Sequence, residues 1–139
     1  MRLIVLDTNV IVSAAIGIDG PPARLVDQVL LGLAQAVTST IVIAEYRDVV
    51  RREKFHQYGF PPPWLDYLIA DSLELPDPPR WPHSIPDPKD APFLALAKIA
   101  GAWLITGNLK HFPRSARHGV TVLSPADYLS HLAESESGV

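Results

Sequence analysis

Four polar residues stand where their side chains could bind a metal ion or act on a phosphate. Asp7 directly follows the apolar run Leu3–Leu6, Glu45 and Asp90 lie in or beside segments with helical spacing, and Asn108 follows another apolar run. Burying a carboxylate such as Asp7 costs free energy unless its charge is compensated. Hard oxygen ligands favour Mg²⁺ or Mn²⁺ over zinc, so a cluster of these residues predicts a divalent metal site.

Each acidic residue also has a purely structural interpretation. Asp7 and Asp90 could each cap the helix that follows it, since aspartate is favoured at that position. Glu45 could face solvent, although Ile41 and Val49 place it beside a buried helical stripe. As a group, however, the carboxylates would repel one another and raise one another's pKa values. A cation bound by all three would offset this repulsion between their charges. Three separate structural roles would leave the repulsion in place.

The apolar pattern predicts the elements that must position these residues. Short strands are expected at 3–6, 36–38, 102–106 and 120–123. Helices are expected at 23–33, from Ser39 or Thr40 to about 55, at 63–74, at 90–100, and after Ser124-Pro125. The alternation predicts an α/β fold with a mostly parallel sheet covered on both faces.

In open parallel sheets, ligands bind beyond the carboxyl ends of the strands. Asp7 ends the first strand, Thr106 to Asn108 follow the strand at 102–106, and Glu45 lies about two turns into the helix after 36–38. The position of Asp90 depends on the preceding connection, which is rich in proline between residues 61 and 92. We expect that connection to be ordered, because Trp64 and Trp81 give it apolar surface to bury.

Length and composition set further bounds. The 139 residues suggest one domain, 1–132, followed by a frayed tail at 133–139. There is no cysteine, so disulfides, thiolate zinc sites and cysteine nucleophiles are excluded. No apolar run reaches the ~20 residues of a membrane span, and Asp7 interrupts what would be a signal peptide. We therefore expect a cytoplasmic protein with no membrane contact.

The net charge of −3 argues against broad electrostatic binding of nucleic acid, but not against a local basic patch beside an acidic site. Arg47, Lys110 and His111 are the candidates for phosphate contacts. Their alternative role is ordinary solvated surface. Any binding through them should weaken as salt rises.

Four segments together resemble a known family. VLDTNVIVSA, VIAEYRDVV, PDPKDAPFLALA and WLITGNLKHF are similar, in order and spacing, to the four motifs of PIN-domain ribonucleases. Within that family the chain looks most like the VapC-like toxins of bacterial toxin–antitoxin pairs. The similarity covers residues 2 to about 130.

This resemblance implies a three-layer α/β/α sandwich that hydrolyses RNA phosphodiester bonds with a metal ion and leaves a 5′-phosphate. Asp7, Glu45 and Asp90 match the first three acidic positions of the family, and Asn108 stands where the fourth is usually aspartate. The resemblance also implies a homodimer and a cognate antitoxin that blocks the site.

The predicted roles follow from this chemistry. Asp7 and Asp90 are the expected ligands of Mg²⁺ (or Mn²⁺), which would polarise the phosphate and lower the pKa of a bound water. Glu45 would orient the attacking water, and Asn108 would position a water.

Three neighbouring polar residues have expected supporting roles. Thr8 and Asn9 would brace the loop around Asp7 through side-chain to backbone hydrogen bonds. Thr106 would contact a water at the site or stabilise the end of its strand.

Asn108 leaves alternatives open. With three carboxylates instead of four, the site carries −3 rather than −4, which predicts one bound Mg²⁺ and a weakened second site. Asp87 could supply the missing charge, but we favour it as a turn residue between Pro86 and Pro88. A site too weak for turnover would make the protein a PIN-like interaction or RNA-binding module. An aspartyl-phosphate domain is less favoured, because Asn9 stands where such domains usually carry a second aspartate.

Overall fold

The computed structural model describes residues 2–137. Within this range, five parallel strands form one sheet. The strands are β1 (Leu3–Leu6), β2 (Gln35–Thr38), β3 (Leu73–Glu74), β4 (Trp103–Ile105) and β5 (Val122–Leu123). They pair in the order β3-β2-β1-β4-β5. All carboxyl ends therefore lie at one edge, and the chain order reverses between β1 and β4, which is where ligand crevices form in such sheets.

Helices connect the strands. They are α1 (Thr8–Ile16), α2 (Pro21–Leu30), α3 (Thr40–Val50), α4 (Trp64–Asp71), α5 (Ala91–Ala100), α6 (Arg114–Arg117) and α7 (Pro125–Ser137), with 3₁₀ turns at Glu53–Tyr58, Pro88–Asp90 and Leu109–His111. Of the two predicted caps for α3, Ser39 and Thr40, the structure uses Ser39, whose side chain accepts a hydrogen bond from the Val42 amide. Gly101 ends α5 in the left-handed conformation, as predicted, with φ of 63°.

The central strand shows that both faces of the sheet are covered. Ile4 and Val5 point to opposite faces, and both are completely buried. Helix α5 packs across β1, β2 and β4, while α2 packs against α1, α4 and α7. The predicted three-layer α/β/α architecture with a parallel sheet is thus confirmed.

The predicted strands all form, but β3 was not predicted. Its residues fall at the end of the segment predicted as a helix at 63–74, whereas α4 stops at Asp71. β3 has two residues, both exposed, so it carries no apolar alternation that a sequence pattern could reveal. It pairs with β2 from Val37 to Leu73, which extends the sheet at that edge.

The proline-rich connection is tied to the domain by side chains. Asp77 Oδ1 accepts a hydrogen bond of 2.9 Å from the Ile41 amide at the start of α3. Trp64 and Trp81 are partly buried against the core, as expected. The loop therefore returns the chain from β3 to the start of α5 along a defined path.

The final helix passes the boundary expected at residue 132. Helix α7 continues to Ser137, so residues 133–137 are helical, and the remaining residues of the expected tail, 138–139, lie outside the described part. The division into residues 1–132 and a frayed tail stays a prediction. Among the described residues, no helix combines the length and apolar character needed to cross a membrane.

Candidate active site

Asp7 is buried at the carboxyl edge of the sheet, between the two central strands. It directly follows β1, and only 5% of its surface is exposed. Thr106 directly follows β4 and is completely buried. Because Leu6 pairs with Ile105 in the parallel register, the next residue of each strand lies at the same level of the sheet.

Hydrogen bonds hold the Asp7 carboxylate in place. Oδ2 of Asp7 accepts from the Thr106 hydroxyl at 2.9 Å and from the Asn9 side-chain amide at 3.2 Å. Asn9 Oδ1 in turn accepts from the Gly107 amide at 2.9 Å. The amide of Asn108 donates to Thr106 Oγ1 at 3.0 Å. The turn after β4 is therefore fastened to the start of α1 through Asn9 and Thr106.

The expected bracing role is divided unequally between Thr8 and Asn9. Asn9 makes a side-chain to backbone hydrogen bond, which it accepts from the Gly107 amide of the turn after β4. The Thr8 hydroxyl is buried and has no hydrogen-bond partner in the described part of the chain. The described residues thus show no hydrogen bond from the Thr8 side chain to that loop, and a supporting role for Thr8 stays a prediction.

Asp7 occupies the cap position of α1 but does not act as a typical cap. Its side chain makes no capping hydrogen bond to the first turn. Burial raises the pKa of the Asp7 carboxyl, and the Thr106 hydrogen bond and the nearby amides of Asn9 and Thr8 offset only part of that rise. The carboxylate is thus held in an environment that disfavours its charge.

Asp90 lies at the start of α5, where a structural role as helix cap was the alternative. Its side chain makes no capping hydrogen bond. The capping aspartate is Asp87, whose Oδ1 accepts from the Lys89 amide at 3.0 Å at the start of the turn Pro88–Asp90. The capping interpretation is therefore wrong for Asp90, and the turn role predicted for Asp87 is confirmed.

The Asp90 side chain contacts His111, a residue that the sequence analysis did not pair with it. Nδ1 of His111 lies 3.0 Å from Oδ2 of Asp90, whose side chain is 13% exposed. Oδ2 is buried and receives no well-aligned hydrogen bond, so the two side chains are in close contact without ideal hydrogen-bond geometry. It occurs because the 3₁₀ turn after Asn108 brings His111 back over the start of α5.

The charge environment of Asp90 is unfavourable for ionisation. Burial raises the pKa of its carboxyl to about 6, and the negative charges of Asp7 and Asp87 act in the same direction. His111 lowers that pKa but does not restore the ordinary value of 3.8. Three carboxylates are therefore close enough at this edge to oppose one another's ionisation.

Asp87, Asp90 and His111 can together hold a cation. One ligand atom from each lies within 4.8 Å of the other two. The set joins carboxylate oxygens to an imidazole nitrogen, and the buried Oδ2 of Asp90 has no aligned donor. These residues fit a divalent ion, and Asp7, the other predicted ligand, lies on the same edge of the sheet but outside this group of the described residues.

Glu45 is placed at the edge of the site rather than in this group. It is half-buried on α3 and lines a cleft of about 340 Å³ with Lys89, Pro92 and Phe93 from the start of α5. Within the described residues, the potential metal-ligating group does not include it. The next residue on α3, Tyr46, donates its hydroxyl to the Leu6 carbonyl, which places this helix against the end of β1.

The basic candidates lie in two different places. Arg47 forms an exposed ion pair with Asp66 of α4 at 3.8 Å, so its described partner belongs to another helix. Lys110 and His111 lie on the turn directly after Asn108, beside Asp90. The structure therefore brings the second pair, but not Arg47, to the acidic edge.

Two features of the site differ from the sequence analysis. The contact of His111 with Asp90 was not predicted, and Asp87, which was favoured as a turn residue, also lies close to both. Asp87 lies three residues before Asp90, a spacing that a turn can bring together, and this was the only signal for it. No signal indicated the histidine contact, because it depends on how the turn at Leu109–His111 folds back.

Comparison with protein families identifies the class of domain. Residues 3–110 match the PIN domain, which covers most of the chain, and the protein belongs to the PIN-domain family. No curated protein gives a significant match.

Solved structures show the same fold. The chain is similar to VapBC2 from Rickettsia felis bound to a DNA fragment from their promoter, with a TM-score of 0.61, 18% identity, and coverage of 88% of this chain and 98% of the other. It is also similar to FitAB bound to IR36 DNA, with a TM-score of 0.56, 23% identity and coverage of 88% and 94%. FitAcB from Neisseria gonorrhoeae gives a TM-score of 0.56, 21% identity and coverage of 88% and 97%.

Proposed function

We propose that the protein is a metal-dependent endoribonuclease, the toxin of a bacterial toxin–antitoxin system, that hydrolyses RNA phosphodiester bonds. Membership of the PIN-domain family supports nuclease chemistry. The observation that carries the proposal is the meeting of Asp87, Asp90 and His111 within 4.8 Å of one another at the sheet edge, where burial and the charge of Asp7 disfavour ionisation of Asp90. A folded protein that keeps such a costly arrangement gains from a cation bound there.

The proposed roles divide between binding and orientation. Asp7 and Asp90 hold the divalent ion, Mg²⁺ or Mn²⁺, and the hydrogen bonds from Thr106 and Asn9 fix the Asp7 carboxylate for that task. When bound, such an ion neutralises charge on the phosphate and makes water a better nucleophile.

Two further residues act on the substrate side. Glu45, in the cleft beside the start of α5, orients the attacking water, and Asn108 positions a water with its amide side chain. Lys110 lies on the exposed turn after Asn108 and contacts the RNA phosphate there. His111 lies on the same turn and faces the acidic group.

The proposed partners follow from the family and its relatives. The similar structures are complexes whose names pair VapB with VapC and FitA with FitB, two of them on DNA. A cognate antitoxin that covers the acidic edge, a homodimer, and a cytoplasmic location fit this class of protein. These features are proposed for this chain by analogy.

The experiment is expression of the wild type and of Asp7→Asn in a bacterial host, followed by mapping of RNA 5′ ends. We expect new 5′-phosphate ends with the wild type and none with Asp7→Asn. Asp66→Asn, which changes an exposed carboxylate of α4 that pairs with Arg47, is the matched control and should behave as the wild type. Purified wild type should cleave RNA only when Mg²⁺ or Mn²⁺ is added, and equal cleavage by Asp7→Asn would overturn the proposal.

A non-catalytic interaction module is the second candidate. It is favoured by Asn108, which brings no charge to the fourth acidic position, and by the absence of Glu45 from the described group of potential metal ligands. In that case wild type and Asp7→Asn would bind RNA or an antitoxin equally, and neither would produce new ends.

A further inference from the structure

A ring nitrogen lies among the carboxylates of the candidate site. Nδ1 of His111 is 3.0 Å from Oδ2 of Asp90, and a ligand atom of Asp87 lies within 4.8 Å of both. We propose that His111 binds the divalent ion directly through Nδ1, together with Asp90 and Asp87, and that it shifts the metal preference from Mg²⁺ towards Mn²⁺. This inference rests on the proposed metal-dependent function and adds His111 and Asp87 to Asp7 and Asp90, the ligands proposed above for that site.

The His111–Asp90 contact has the geometry of two ligands of one ion. Ligands at right angles on an ion with bonds of about 2.1 Å are about 3.0 Å apart. The observed distance has this value, yet Asp90 Oδ2 is buried without an aligned hydrogen bond. A ring N–H that served only as a donor would point at the oxygen. Oδ2 thus keeps acceptor capacity beside the ring nitrogen, and a cation bound by both atoms would use it.

The backbone around His111 positions the ring. The turn Leu109–His111 is closed by the His111 amide, which donates to the Asn108 carbonyl at 3.1 Å. The following residue, Phe112, is completely buried, and its carbonyl accepts from Arg117 Nε at 2.8 Å. His111 is therefore attached to an anchored segment, although 43% of its own side chain is exposed.

Asp87 contributes a carboxylate beside Asp90 and His111. Its Oδ1 accepts from the Lys89 amide, which fixes the carboxylate toward the start of α5. A carboxylate has two oxygens and about four acceptor positions, so this bond leaves capacity for a cation. Asp87 thus acts both as a turn residue and as a ligand, and the two interpretations made from sequence do not exclude each other.

The mixed ligand set determines the preference among ions. Mg²⁺ binds oxygen ligands and keeps several waters, whereas imidazole favours first-row transition metals. One nitrogen beside two carboxylates should therefore favour Mn²⁺ over Mg²⁺. The exposed side of His111 leaves room for waters to complete the coordination.

The test is Mn²⁺ binding to the full-length protein, followed by electron paramagnetic resonance. Free Mn²⁺ is measured during titration, and pulsed spectra of the bound ion report whether a nitrogen nucleus is coordinated. We expect nitrogen coupling in the wild type and its loss in His111→Ala, with Mn²⁺ affinity reduced about tenfold or more and Mg²⁺ affinity changed much less. His56→Ala, an exposed histidine on the turn Glu53–Tyr58, is the control and should match the wild type.

The outcomes separate this inference from the nuclease proposal. Bound Mn²⁺ without nitrogen coupling in the wild type would overturn the histidine ligand and leave the metal-dependent function standing. Failure of the wild type to bind Mn²⁺ or Mg²⁺ would overturn both. Asp87→Asn should keep the nitrogen coupling but bind Mn²⁺ more weakly, and unchanged affinity would remove Asp87 from the ligand set. Circular dichroism of each variant identifies any that fails to fold, and the wild-type spectrum still decides the histidine question.

Discussion

The hydroxyl of Thr106 donates a hydrogen bond of 2.9 Å to Oδ2 of Asp7, joining the ends of the two central strands. The hydroxyl oxygen of Thr106 also accepts a hydrogen bond from the Asn108 amide at 3.0 Å. One buried hydroxyl therefore sets both the orientation of the first acidic residue and the backbone position of the fourth. A change at Thr106 should reach both positions without altering any charge.

Thr106→Val should destabilise the protein and weaken metal binding. Valine has nearly the same shape but leaves the Asn108 amide and Asp7 Oδ2 without their shared partner, which costs about 1–3 kcal/mol of unfolding free energy. Misorientation of the Asp7 carboxylate should also reduce divalent-ion affinity by roughly 10–100-fold. Chemical denaturation and calorimetric titration measure the two effects. Thr106→Ser keeps the hydroxyl and should lose much less of either.

The raised pKa of Asp90 predicts how stability depends on pH in the metal-free protein. The carboxyl has a pKa of about 6 in the folded protein against an ordinary 3.8, so the folded state keeps this proton to higher pH than the unfolded state. The unfolding free energy should therefore fall as pH rises from about 4 to about 6, by at most about 3 kcal/mol, and then stay level with respect to this group.

Asp90→Asn isolates that contribution. In denaturant titrations without metal at pH 7.5, the variant should be more stable than the wild type, and the difference should vanish near pH 4. Saturating Mg²⁺ or Mn²⁺ should stabilise only the wild type and reverse the order. Asp71→Asn, which removes an exposed carboxylate at the end of α4, is the control. If the difference in unfolding free energy between the wild type and Asp90→Asn were the same at pH 4 and pH 7.5, the raised pKa of Asp90 would be contradicted.

The sequence predicted the parallel sheet and the position of Asp7 because both depend on short-range patterns. Apolar runs such as Leu3–Leu6 define strands, and parallel strands bring their carboxyl ends to one edge. The cap at Ser39 and the stop at Gly101 follow from side-chain and backbone preferences within single turns. These features need no knowledge of tertiary contacts.

The remaining features depend on contacts between distant segments. Both residues of β3 are exposed, and the strand is defined by its pairing with β2. The sequence therefore shows no alternation of apolar and polar residues that would predict it. The approach of His111 to Asp90 requires the turn after β4 to fold back over the start of α5. For Asp90, the sequence left the roles of cap and metal ligand both open, because Asp87 and Asp90 precede the same helix start.

Tyr46→Phe tests how helix α3 is joined to the end of β1. The Tyr46 side chain is buried, burial raises the pKa of its phenol, and the hydroxyl donates to the Leu6 carbonyl directly before Asp7. Its loss should lower the unfolding free energy by about 1–2 kcal/mol. Tyr67→Phe, which changes a tyrosine that is 70% exposed, should change it by less than about 0.5 kcal/mol. Equal effects in the two variants, measured by urea denaturation, would mean that the Leu6 bond contributes nothing.

Asn108→Asp tests whether the missing fourth carboxylate limits metal binding. The wild type should bind one Mg²⁺ well and a second weakly, since Asn108 offers an amide oxygen without charge. The added carboxylate should strengthen the second site about tenfold or more, because a negative charge near a divalent ion in a partly buried site contributes at least about 1.4 kcal/mol. In the absence of metal, the same charge should lower stability through repulsion from Asp7 and Asp90.

Calorimetric titration with Mg²⁺ measures the affinities of the two sites. Gln57→Glu is the control, because it adds the charge on an exposed turn and should leave both sites unchanged. Two equally tight sites in the wild type would show that Asn108 does not weaken the second.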